Sequence, residues 1–356
     1  MVISMLHKHG GDIYQNPNVI DFSANINFLG MPKAVKAAAM RGIEEAVHYP
    51  EAGNRTLVEK IAGFHALSAS HVIAGNGAAE IIFALVHARK PQKALLTAPS
   101  FYEYEQALLG EGCEIIKYYL KKENAFKIQK VDEFLNRIYE GVDMVFLCNP
   151  NNPTGTLTER KVLERVLAAC KQMGAVLVVD ESFLEFCPMY EEYTMCGNLA
   201  DLQMGKSLFI LKSFTKLYAM PGLRLGFGLS ADAELIRKMQ ENLQPWNVSL
   251  PAQYAGIVAL QEDEFIQKTR ECVAAERQYL TKGLGELGLD VYEGAANFVL
   301  FFGQETLGER CLNKGILLRD CSNFDGLMKG WYRVAVKRHE ENRELLNVLK
   351  SCLEER

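Results

Sequence analysis

The run Val176-Leu-Val-Val-Asp180 sets the tightest limit on how this chain folds. Apolar and β-branched residues follow one another without alternation, the pattern of a strand covered on both faces, and such strands lie inside parallel sheets flanked by helices. The run ends on a carboxylate, delivered to the carboxyl-end rim of that sheet. Lys93–Ala98, Met144–Cys148 and Ser207–Leu211 are similar runs, Val72 begins another, and Glu114–Tyr119 reads as a further strand. Helical spacing separates several of them, as at Val131–Tyr139. Residues 72–229 therefore predict an α/β domain with a mostly parallel central sheet flanked by helices, with ligands sitting beyond the carboxyl ends of the strands.

A length of 356 residues suits two domains rather than one core. The 39 Lys and Arg against 44 Asp and Glu give a net charge of −5, and the basic residues are scattered, so neither nucleic acid nor an anionic membrane is expected as a partner. The nine cysteines are odd in number and mostly embedded in apolar runs, which is thiol usage of a reducing compartment. With no C-x-x-C, no H-E-x-x-H and no His pair at helical ligand spacing, no metal site is expected. The apolar start at Met1–Leu6 is too short for a signal peptide, no segment has the length of a membrane span, and the expected location is cytoplasmic.

Chemistry concentrates after the apolar run that ends at Leu211. In Ser213-Phe-Thr-Lys216-Leu-Tyr-Ala-Met-Pro221-Gly-Leu-Arg224 one amine stands among anion-binding groups. Lys216 can condense with an aldehyde, and Ser213 and Arg224 can hold a phosphate carried by the same molecule. Pyridoxal 5'-phosphate (PLP) fits that description. Gly75-Asn76-Gly77-Ala78-Ala79-Glu80 precedes an apolar helix, where small residues let a phosphate approach free N–H groups. Asn149-Pro-Asn-Asn152-Pro153-Thr-Gly155 follows the strand at 144–148 as a loop that can continue as neither helix nor strand.

NPNNPTG, the strand-end VVDE and SFTKLYAMPGLR, in this order, resemble the fold type I PLP enzymes of the class I/II aminotransferase superfamily, over nearly the whole chain. The resemblance implies that Lys216 binds the cofactor aldehyde, Asp180 pairs with the pyridine nitrogen and Asn152 meets the phenolic oxygen. Gly77, Ala78, Ala79, Ser213 and Arg224 would form the phosphate cup, and Phe101 would lie on the ring face. Tyr49, just before Pro50, would reach the phosphate of a neighbouring subunit, which implies a homodimer with shared active sites. Phe183 stands where many relatives carry a tyrosine, leaving Asn152 as the main partner of the phenolic oxygen.

The domain plan is an arm at 1–30 packing with the small domain, a large PLP-binding domain at 31–245 and a smaller α+β domain at 246–356. The arm, with His9-Gly-Gly and Asp21-Phe-Ser-Ala-Asn-Ile-Asn27, is similar to the opening of threonine-phosphate decarboxylases and histidinol-phosphate aminotransferases. Arg319 and Arg333 lie in apolar strand-like segments, where a guanidinium is costly without an anion. By resemblance Arg333 takes the substrate α-carboxylate and Arg319 a second anion, with His9, Asn27 and Asn152 assisting. The expected substrate is a phosphorylated amino acid or amine. The expected activity is decarboxylation of O-phospho-L-threonine in cobalamin biosynthesis, with histidinol-phosphate transamination, or another class I/II aminotransferase activity, as the alternative.

Overall fold

A computed structural model of the chain describes residues 9–355. The short apolar start and the first part of the arm lie outside the described residues. The dominant feature is a seven-stranded sheet whose spatial order is Val72–Gly75, Gly226–Leu229, Leu208–Ser213, Val176–Asp180, Met144–Cys148, Lys93–Ala98 and Glu114–Tyr119. Only Gly226–Leu229 runs against the others. Met144–Cys148 and Val176–Asp180 are buried at every position, as their unbroken apolar sequences require.

The strand before Lys216 runs to Ser213, two residues beyond the apolar sequence. Lys212 extends it because its charge is absorbed inside the protein. Its Nζ lies 2.6 Å from Glu185 and 3.1 Å from Glu181, and it donates to the Tyr190 hydroxyl at 3.1 Å. Burial alone would lower the Lys212 pKa, but Glu185, Tyr190 and Glu181 outweigh it and hold the pKa well above the ordinary value.

A four-stranded antiparallel sheet lies beyond the 24-residue helix Asp263–Glu286, with the order Arg319–Asp320, Trp331–Ala335, Phe298–Phe302 and Asp290–Tyr292. The apolar, strand-like segment that ends at Arg319 is divided between two sheets. Ile316–Leu317 pairs in parallel with Ile20–Asp21 of the arm, whereas Arg319–Asp320 joins the antiparallel sheet. The helix Leu250–Ala259 packs on Lys33–Glu44, where Gly42 meets the Pro251 backbone so closely that a Cβ would collide with it. Ser249 caps this helix through the Ala252 N–H. Asn54 behaves differently: its side chain makes no cap for Arg55–Phe64 and instead bonds Asn247 and Gln253.

Candidate active site

The site lies at the carboxyl ends of the parallel strands, where the backbone of each must turn and its side chains face open space. A cavity of about 560 Å³ there is lined by Asp180, Lys216, Arg224, Asn152, Phe101, Ala78, Ala79 and Ser213 from the large sheet and its helices. Arg319 and Arg333 enter from the small sheet, and His9, Ser23 and Asn25 from the arm. Each element therefore contributes groups that lie far apart in sequence.

Asp180 is buried and doubly held. Its Oδ2 accepts the Tyr104 hydroxyl at 2.6 Å and its Oδ1 accepts the Ser182 N–H at 2.8 Å. Burial raises its pKa, against the lowering effect of these two donors and of Lys216. A cationic partner facing this carboxylate would offset its desolvation. Tyr104, which the sequence alone did not bring to notice, is fully buried, its ring stacked 4.9 Å from Phe146 and edge-on to Phe101 at 5.6 Å.

Lys216 sits in the short helical turn Phe214–Leu217, whose first turn Ser213 caps through the Thr215 N–H. Its Nζ donates to Thr215 Oγ1 at 3.3 Å. Burial and the charges of Arg224 and Arg333 push its pKa down to about 8, with Asp180 and Glu103 pulling the other way. The two neighbouring lysines thus divide: Lys212 is locked as a cation, and Lys216 is poised as a nucleophilic amine.

The helix Ala78–Arg89 has no side-chain cap at its first turn, so its leading N–H groups are open toward the cavity. Gly77 has φ +84°, and a Cβ there would strike the Arg224 guanidinium. Arg224 itself adopts φ +58° and donates to the Pro221 carbonyl at 3.3 Å. Uncapped amides, the Ser213 hydroxyl and a guanidinium together make an anion cradle.

Across the cavity, Arg333 donates through Nη1 to Asn152 Oδ1 and through Nη2 to the Ser23 carbonyl at 2.9 Å, while its buried Nε has no partner. Burial lowers its pKa to about 10. Arg319 lies over the Phe324 ring at 5.1 Å and donates to Asn323 Oδ1 at 2.9 Å. Phe183 is buried at the cavity wall, edge-on to Phe298 at 5.2 Å. It offers no hydroxyl to a ligand.

Two of the residues picked out from the sequence are not brought to this cavity. Asn27 is buried behind it, its Nδ2 donating to the Leu217 carbonyl at 2.8 Å and to Thr269 Oγ1 at 2.9 Å, and its Oδ1 accepting the Leu29 N–H. With both ends of its amide occupied, Asn27 ties the arm to the lysine turn instead of meeting substrate. Asn25, two residues earlier, lines the cavity and keeps a buried Oδ1 without a partner. Tyr49 is exposed and stacked on Trp246 at 4.5 Å, away from the cavity of its own chain.

The sequence model of the family described as aminotransferase class I and II matches residues 17–349. The chain belongs to that family. Among relatives of this class I and II chain, threonine-phosphate decarboxylase of Salmonella typhimurium is 36% identical, with 97% of this chain and 96% of that protein covered. Histidinol-phosphate aminotransferase of Methanothermobacter thermautotrophicus is 32% identical over 96% of this chain and 91% of that protein. Among solved structures, histidinol-phosphate aminotransferase from Clostridium acetobutylicum superposes with a TM-score of 0.86 at 30% identity, covering 93% of this chain and 98% of that one. L-threonine-O-3-phosphate decarboxylase from Porphyromonas gingivalis superposes with a TM-score of 0.82 at 25% identity, covering 94% and 99%.

The cofactor of the class I and II enzymes is pyridoxal phosphate, and the residues present fit it. The uncapped helix start beside Gly77 suits its phosphate, the desolvated Asp180 suits a protonated ring nitrogen, and the low-pKa amine of Lys216 suits its aldehyde. Among the described residues no group of side chains could hold a metal ion, and no helix is long and apolar enough to cross a membrane.

Proposed function

We propose that the protein is a PLP-dependent carboxy-lyase that converts O-phospho-L-threonine to 1-aminopropan-2-ol phosphate and carbon dioxide. The observation that carries this reading is the pair of buried guanidiniums, Arg319 and Arg333, facing one cavity with Lys216. A substrate bearing both a carboxylate and a phosphate matches two cations in a desolvated site. The full-length likeness to a named threonine-phosphate decarboxylase supports the same choice.

Bound here, pyridoxal phosphate supplies the electron sink for the pair left at the substrate Cα when a bond to it breaks. Asp180 would hold the proton on the ring nitrogen, itself fixed by Tyr104 and Ser182. The Asn152 amide would donate to the phenolic oxygen, its Oδ1 being taken by Arg333. Ser213, Arg224 and the amides of Ala78 and Ala79 would hold the phosphate, with Phe101 against the ring. Lys216 Nζ would receive the aldehyde and, once displaced, deliver a proton to Cα. Arg333 would orient the α-carboxylate, and Arg319 the substrate phosphate.

The same residues also serve transamination, and the close superposition on a histidinol-phosphate aminotransferase favours that second reading. Incubation of the purified protein with O-phospho-L-threonine, and separately with histidinol phosphate and 2-oxoglutarate, separates the two. Carbon dioxide released with the phospho-amine product is the expected result. Glutamate formed without carbon dioxide would replace it with the aminotransferase.

We further place Tyr49 and Trp246 at the face of a homodimer, with the partner's Tyr49 completing the phosphate cup, and we place the enzyme in the cytoplasm, where its nine free thiols stay reduced. Sedimentation at twice the monomer mass, and weaker cofactor retention in Tyr49→Phe, are the expected results.

A further inference from the structure

Glu103, in the first turn of the helix Tyr102–Gly110, lines the cavity and has no part in the scheme above. Its side chain is 13% exposed, one oxygen is buried without a hydrogen-bond partner, and the other lies 3.5 Å from His9 Nε2. The His9 side chain is 55% exposed. A carboxyl group on the cavity wall thus stands beside a solvent-facing imidazole.

The proposed reaction gives this arrangement a use. At neutral pH an amino acid zwitterion loses carbon dioxide and leaves as an ammonium ion. The Cα–carboxyl bond breaks, its electron pair remains on the Cα side, and a new C–H bond forms with a proton that must come from solvent. One proton is consumed for each carbon dioxide released. Transamination exchanges protons within the site and has no such requirement.

We propose that His9 and Glu103 form the path by which that proton enters, passing from solvent to His9, then to Glu103, and then to the amine of Lys216 that serves Cα. The inference rests on the decarboxylase reading. Charged and titratable groups bearing on Glu103 are His9 from the arm, Lys216 and Asp180 from the large sheet and Arg319 from the small one. Burial outweighs the lowering effects of Lys216 and Arg319 and raises the Glu103 pKa to about 7, so the carboxyl can both take and give a proton near neutrality.

Glu103→Gln keeps the shape and removes the exchangeable proton. It is expected to lower kcat for carbon dioxide release about 10²-fold, within the range for loss of one positioned acid–base group. Cofactor absorbance and the thermal midpoint should stay those of the parent enzyme, and added formate should restore part of the rate. His9→Asn should slow the reaction less, since water can reach Glu103, and should be rescued by imidazole. A Glu103→Gln enzyme that keeps its kcat within twofold, or one slowed equally but deaf to formate, would overturn the path while leaving the decarboxylase intact. A parent enzyme that releases no carbon dioxide would overturn the decarboxylase reading, and the path with it.

Discussion

The Tyr104 hydroxyl donates to Asp180 Oδ2 at 2.6 Å from a ring stacked on Phe146, so the acid at the rim of the sheet is fixed by a residue 76 positions earlier in the chain. Tyr104→Phe retains the stacking and deletes only the donor. Leaving a buried carboxylate oxygen unpaired costs about 1–3 kcal/mol. Urea unfolding of the cofactor-free protein should show a loss of that size, and an unchanged midpoint would show that Asp180 finds another donor.

Lys216 makes a prediction in pH. Its amine loses its proton at about pH 8 in the folded protein, against 10.5 for an ordinary lysine. Below about pH 8 both folded and unfolded chains bind this proton, and the folded state carries the full penalty of a buried cation. Between the two values the unfolded chain binds the proton and the folded chain does not, so stability from this group rises with pH. Cofactor-free wild-type protein should therefore gain on Lys216→Met as pH climbs from about 8 toward 10. Parallel stability curves would contradict the lowered pKa.

Arg333→Lys preserves charge and removes the fork that spans Asn152 and Ser23. Substrate affinity should fall by about 10- to 100-fold, the equivalent of one lost charge-assisted hydrogen bond. Equilibrium binding of O-phospho-L-threonine to the Lys216→Ala protein, which cannot turn it over, isolates this effect. Unaltered affinity would remove Arg333 from the substrate site.

Asn27 and Asn25 should separate stability from binding. Asn27→Ala should cost about 1–3 kcal/mol, because the Leu29 amide loses its acceptor and Thr269 and the Leu217 carbonyl lose their donor, with kcat/KM kept at temperatures where the protein is folded. Asn25→Ala should change KM with little loss of stability. The opposite pattern would return Asn27 to the substrate site.

The sheet was legible because strands buried on both faces are written as unbroken apolar runs, and Val176–Asp180 could hardly be anything else. Lys216, Asp180, Asn152 and Arg224 were legible because each follows such a run or sits in a short motif beside one. Lys212 hid two residues of strand, since the carboxylates that neutralise it, Glu181 and Glu185, are themselves remote in sequence from it. Asn27 and Asn25 share the same short arm segment, and only tertiary packing decides which faces the cavity. Tyr104 and Glu103 left no sequence signal, because a helix start gives their side chains no direction until the arm and the neighbouring strands are in place.

The Lys216 amine is the centre of the proposed chemistry, and reduction with borohydride after addition of pyridoxal phosphate tests its role. Peptide mapping of the reduced protein should find a phosphopyridoxyl group on the peptide that carries Lys216, and Lys216→Ala should lose both the label and the visible absorbance. Label on Lys212, or a protein that never takes up the cofactor, would contradict the account.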